Sequence, residues 1–313
     1  MNPFKEVNPR PRNWFRSPCL VLLILVFGTM HLCAQVKVLR VMPDQTDPAM
    51  ANVHGPHLAL YDPQATSRHQ LFLFFVGTGG KAEGGLKMAS VFASWGYHAI
   101  SLDYENNVVT VVSAHSKDPT SFDRYRKAII TGAPVSELIK VSSTNSILNR
   151  FQKLLVYLVK QDPQGGWDQF VQNDQPVWNK IVGAGHSQGS GHAAYLGKLF
   201  PVQRVLMFSG PQDYLDDLHE PAPWLGDQSA TPPDRFYAFL AEKDPYNVHH
   251  QVANCSVLMR LSLPKTQIVQ TNEAISAGCH ILINNIPTKS PHGTTMMPQF
   301  KNVWEYMATN AAG

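Results

Sequence analysis

The segment Gly185-His186-Ser187-Gln188-Gly189 sets one serine hydroxyl between two glycines. A serine hydroxyl attacks a carbonyl only when a neighbouring base takes its proton. In an α/β sheet such a serine is held on a sharp strand-to-helix turn, and the residues two positions either side must be small or the turn clashes. Gly185 and Gly189 meet that need, and Gly183, Ala184, Gly191, Ala193 and Ala194 leave room for a helix to lie close to the sheet. The motif occurs once, directly after the apolar run Trp178–Gly183 and directly before the small-residue helical stretch Ser190–Phe200. These residues predict nucleophilic acyl transfer with Ser187 as the attacking group.

That chemistry needs a base, an acid and donors for the developing oxyanion. The base should be a histidine after the serine, with the acid between them. His292, in the turn-rich stretch Ser290-Pro-His-Gly293 before a closing helix, fits the base, with His280 as the other candidate. Asp244 follows the strand-like run Arg235–Ala241, at the strand end where open α/β sheets gather their sites, and Asp213 is its rival. His186 points elsewhere within the turn, and His192, further along the helix, reads as structural. The oxyanion is expected to meet the N–H of Gln188 and one N–H from Gly77-Thr-Gly-Gly80, that of Thr78 or alternatively Gly79.

The elements that must position these groups alternate between strand and helix, which predicts a mostly parallel sheet with helices on both faces. Gln70–Val76 is an apolar run buried on both faces, Tyr97–Leu102 a second, and Arg204–Phe208 another. Val36–Val41 and His57–Leu60 are weaker strands, and Lys265–Val269 is a candidate last one. Leu86–Ser94, Ser146–Gln161 and Lys301–Met307 have helical spacing. Residues 105–145 show little regular pattern and read as an insertion over the site, and Arg124-Tyr-Arg-Lys127 within them as a solvated helix face.

Gly77-Thr-Gly-Gly80 after a strand, Gly185-His-Ser-Gln-Gly189, Lys243-Asp-Pro245 and Pro291-His-Gly293 together resemble the α/β-hydrolase superfamily, over about residues 57–308. More loosely, the chain is similar to secreted bacterial α/β hydrolases of undefined substrate. The resemblance implies an α/β-hydrolase fold and a Ser187–His292–Asp244 triad acting on a carboxylic ester. The oxyanion loop lacks the histidine of an HGGG signature, so the carry-over there rests on its glycines.

The whole chain narrows the function classes further. Charged residues are 16% of its 313, against about 25% in an average soluble protein. Lys5, Arg10, Arg12 and Arg16 against Glu6 account for the entire +3, so the remainder is balanced and offers no basic face to nucleic acid. A basic start, the apolar run Cys19–Phe27 and the small Ala34 read as a signal peptide over residues 1–34, with export after cleavage near Ala34. The run is too short for a membrane span, and no later segment could make one. The mature chain, 35–313, then forms one domain. It keeps Cys255 and Cys279, an even pair in an oxidising compartment, and a disulfide between them is expected. No nucleotide fingerprint or metal spacing implies a cofactor. The leading expectation is hydrolysis of a small-molecule or acyl ester. A peptidase or acyltransferase on the same triad is the first alternative, and an exported, non-catalytic binding module the second.

Overall fold

The computed structural model describes residues 36–310 apart from Pro264 and Asn272. The expected leader and its cleavage position lie outside the described residues. Nine strands in chain order form one sheet: β1 (Lys37–Val41), β2 (His57–Tyr61), β3 (Leu71–Phe75), β4 (His98–Leu102), β5 (Ile181–His186), β6 (Arg204–Phe208), β7 (Phe236–Ala241), β8 (Thr266–Ile268) and β9 (Ile281–Asn284). Across the sheet they run β1-β2-β4-β3-β5-β6-β7-β9-β8. Only β2 opposes its neighbours; the pairs from β4 to β8 are parallel. With the helices that cover it, this mostly parallel sheet is the α/β-hydrolase fold.

The central strands are buried end to end, as their continuous apolar runs require. Among the described residues, six helices of nine or more residues pack around them: α1 (Leu86–Ser94), α2 (Ser121–Thr131), α3 (Ile147–Gln161), α4 (Gln188–Leu199), α5 (Val248–Leu258) and α6 (Lys301–Thr309). Ser146 caps α3 by accepting from the Asn149 N–H at 3.2 Å. Gly132, at φ 76°, ends α2 in the left-handed conformation. Among the described residues no helix is long and apolar enough to cross a membrane.

Three elements differ from the sequence expectation. The stretch read as irregular insertion contains α2, whose Phe122, Tyr125, Arg126, Ala128, Ile129 and Ile130 are buried against α3 and α4. The supposed solvated basic face therefore holds a core arginine. Helix α5 and strand β9 were not anticipated; β9 is a short run, Ile-Leu-Ile-Asn, inserted between β7 and β8.

The expected disulfide is also corrected. Cys255 and Cys279 are free and buried. Cys255 Sγ, on α5, faces the Gly210 carbonyl at 3.8 Å, whereas Cys279 Sγ lies against the Lys265 and Ile281 carbonyls at 3.7 and 3.4 Å. The two thiols face different backbone neighbours, and burial pushes both up from the usual thiol range.

Candidate active site

The register of the central strands places the serine. Strand β3 pairs with β5 so that Phe75 stands opposite Gly185, and β5 pairs with β6 so that His186 stands opposite Phe208. The chain then turns at Ser187, whose φ 56° and ψ −123° are strained for a residue with a side chain. Its N–H donates to the Phe208 carbonyl at 2.9 Å, and its carbonyl accepts from the Ser190 hydroxyl at 2.5 Å. A Cβ on Gly185 would collide with the Gly189 backbone, and one on Gly189 with the Phe75 carbonyl, so both glycines are sterically required.

Asp244 and His292, both singled out in the sequence, lie side by side. Asp244 follows β7, and His292 lies in the 3₁₀ turn Pro291–Met296 beyond β9. His292 Nδ1 is 2.8 Å from Asp244 Oδ2, while Oδ1 accepts the Tyr246 N–H at 2.9 Å. With a carboxylate oxygen as acceptor, Nδ1 carries a proton, and in the neutral ring Nε2 then keeps its lone pair. The Asp244 side chain is fully buried and that of His292 is 23% exposed. Ser187 and His292 line one cavity of 440 Å³, together with Thr78, Tyr246, Met296 and the apolar side chains of Phe74 and Val76.

The rival residues are placed elsewhere. His280 sits before β9, with Nδ1 2.9 Å from the Phe236 carbonyl, at the opposite end of the parallel strands from the serine. Asp213 makes a two-point ion pair with Arg126 (Nη2–Oδ1 2.6 Å, Nε–Oδ2 3.1 Å) and accepts from Trp224 Nε1 at 2.9 Å. His186 is not idle: its Nε2–H donates to the His292 carbonyl at 3.0 Å, and the Ser209 hydroxyl donates to the same oxygen at 2.7 Å. These two bonds pin the loop that carries His292. His192 is fully buried beside Arg126, as a structural residue would be.

The Gly77–Gly80 loop lies against the serine turn. The Gly79 N–H is already given to the Asn106 carbonyl at 3.1 Å, and the Thr78 hydroxyl donates to Gln188 Oε1 at 2.6 Å. Asn106 also donates to the Gly80 carbonyl at 3.0 Å and accepts from His54 Nε2 at 2.7 Å. Behind it, Asp103 accepts from the His54 and Val53 N–H groups and pairs with the buried Arg150. The loop is thus held by residues that motif reading did not single out.

Two further residues were missed. Gln212 Nε2 donates to Ser187 Oγ at 3.3 Å. Its only sequence signal is its place just after β6, at the strand end where site residues gather. Arg126 Nη1 donates to the Gln188 carbonyl at 2.7 Å, tying α2 to the start of α4. Both Arg126 and Asp213 side chains are fully buried. Removing one member of a buried pair strands the other, at a cost of about 3–5 kcal/mol. Arg126→Met is therefore expected to lower stability by about that amount in urea unfolding. Adding Asp213→Asn should restore part of it. A loss below about 1 kcal/mol would contradict the structural weight given to this pair.

Buried imidazoles make the fold sensitive to acid. Burial, with the neighbouring His292, pulls His186 down to about 4, and burial, with Arg150, pulls His57 down to about 3. His192 is held well below the ordinary 6.5 by burial and by Arg126. Between 6.5 and these values the unfolded chain binds protons that the folded chain refuses, so stability falls as the pH drops through that window. The urea midpoint should decrease steadily from about pH 7 to about pH 4. A flat profile there would show that these rings accept protons without cost.

Among the described residues no group of three or more His, Cys, Asp or Glu side chains is placed to hold a metal ion. No protein-family model matches the chain, and no curated protein does. Solved structures do resemble it. One is an esterase from the bacterial hormone-sensitive lipase family, 14% identical, covering 90% of this chain and 85% of its own, with a TM-score of 0.41. Another is a putative dienelactone hydrolase from Klebsiella pneumoniae subsp. pneumoniae, 12% identical, covering 88% and 99%, with a TM-score of 0.46. A third is a dienelactone hydrolase from Anabaena variabilis, 14% identical, covering 88% and 99%, with a TM-score of 0.42. The functional reading rests on the site itself.

Proposed function

We propose that this chain is a serine hydrolase that cleaves carboxylic esters through a covalent acyl-enzyme. The observation that carries the reading is a strained serine sharing a cavity with an imidazole whose far nitrogen is fixed by a buried carboxylate. Ser187 Oγ accepts from Gln212, so its own proton is free to pass to His292 Nε2 as the oxygen attacks the ester carbonyl. Asp244 holds the ring and stabilises the imidazolium that forms. The carbonyl oxygen becomes negative and is received by the N–H groups of Thr78 and Gln188; Thr78 is preferred because the Gly79 N–H is taken. His292 then returns the proton to the departing alkoxide. Water, activated by the same imidazole, cleaves the acyl-serine and frees the acid.

The reading keeps the exported location expected from residues 1–34 and requires no cofactor. Its test is turnover of 4-nitrophenyl acetate beside the matching 4-nitroanilide. Saturable ester hydrolysis supports the proposal. Faster cleavage of the anilide would move the reading to a peptidase, and no turnover of either would overturn it.

A further inference from the structure

A second cavity, of 630 Å³, opens beside the first. The two share Tyr246 as a wall, and the second is also lined by Gln212, the residue that reaches Ser187 Oγ. Tyr246 in turn meets the His292 ring edge-on, with centroids 4.9 Å apart. Ser187 and His292 line the first cavity only, and the second lies beside it, behind Tyr246 and Gln212.

Their linings differ in kind. Phe74, Val76 and Met296 make the first cavity apolar around the serine. In the second, Asp216 lies between two imidazoles, 3.4 Å from His250 Nδ1 and 3.9 Å from His115 Nε2. Tyr214 and His250 stack with centroids 3.7 Å apart and give one wall a flat aromatic character. The carboxylate and the two imidazoles, with Asp217 Oδ1 a further 3.0 Å from His115 Nδ1, set hydrogen-bond donors and acceptors side by side. Hydroxyl groups both donate and accept, and the C–H face of a saturated ring packs on flat aromatic rings. The volume is that of an ordinary small-ligand pocket of about 300–1,000 Å³.

We propose that the second cavity binds a neutral, hydroxyl-rich ring such as a pyranose, as the alcohol part of the ester, while the first takes a short apolar acyl group. The substrate class is then an acylated sugar or cyclic polyol. This rests on the ester-hydrolase reading above. It also fits the direction of proton return: the departing alkoxide must face His292, and Tyr246 stands both against that ring and on the border of the second cavity.

The test compares methyl 6-O-acetyl-glucopyranoside with cyclohexylmethyl acetate, a ring of similar size without hydroxyls, and with acetylcholine, using 4-nitrophenyl acetate as the common reference. The sugar ester should show the highest kcat/KM of the three, about tenfold or more above cyclohexylmethyl acetate, which corresponds to about 1.4 kcal/mol. His250→Ala and, separately, Asp216→Ala should each raise KM for the sugar ester about tenfold and leave 4-nitrophenyl acetate within twofold. Equal or better turnover of cyclohexylmethyl acetate, preference for acetylcholine, or equal losses on every substrate in both variants would overturn the subsite. In those cases 4-nitrophenyl acetate is still hydrolysed. If even that substrate is inert, the hydrolase reading falls and takes the subsite with it.

Discussion

Replacing Ser187 with alanine is expected to lower kcat for 4-nitrophenyl acetate by about 10⁶-fold while leaving the fold intact. The covalent route disappears when Oγ does, and His292 alone then has only water to activate. What remains comes from the oxyanion donors and from binding, which do not need the serine. The side chain is small and lies at the cavity wall, so KM should move little. Urea unfolding of the variant should match the parent, because alanine at φ 56° keeps the same backbone strain. A loss of less than tenfold would mean that the turn is a packing feature and its hydroxyl idle.

Asp244→Asn is the second large effect, about 10⁴-fold in kcat. The carboxylate accepts from His292 Nδ1–H at 2.8 Å, and its other oxygen accepts the Tyr246 N–H at 2.9 Å. With that backbone donor holding the amide oxygen, asparagine would turn an N–H toward Nδ1. The ring would then carry its proton on Nε2, the nitrogen that must receive the serine proton. The charge that steadies the imidazolium is lost as well. Activity within tenfold of the parent would show that another group orients His292. Asp213, the rival in the sequence, is committed to Arg126 and Trp224 and could not take over without breaking that cluster.

The residues expected to carry the chemistry were legible because each sits where local rules apply. Ser187 lies between glycines at a strand–helix junction, Asp244 just past a strand, and His292 in a turn-rich loop late in the chain. The central strands were legible for the same reason, since LFLFF and RVLMF can only be buried on both faces. What escaped depends on partners distant in sequence. Helix α2 looked irregular because Arg126 interrupts its apolar stripe, and only the pairing with Asp213 makes that arginine a core residue. Gln212 carries no motif; it matters because β6 lies beside β5 and delivers the following loop to Ser187. The cysteine pair misled because an even count says nothing about where each thiol faces, and the surroundings of Cys255 and Cys279 differ. Strand β9 is short enough that its apolar run could belong to either kind of element.

The most direct test is covalent. A fluorophosphonate probe reacts with a serine only when its proton is drawn off and an oxyanion site is ready to receive the charge. Intact-mass analysis followed by peptide mapping should find one adduct per chain, on Ser187, absent in Ser187→Ala and strongly slowed in His292→Ala. Failure of the folded protein to label, or an adduct that maps to another residue and survives Ser187→Ala, would contradict the account.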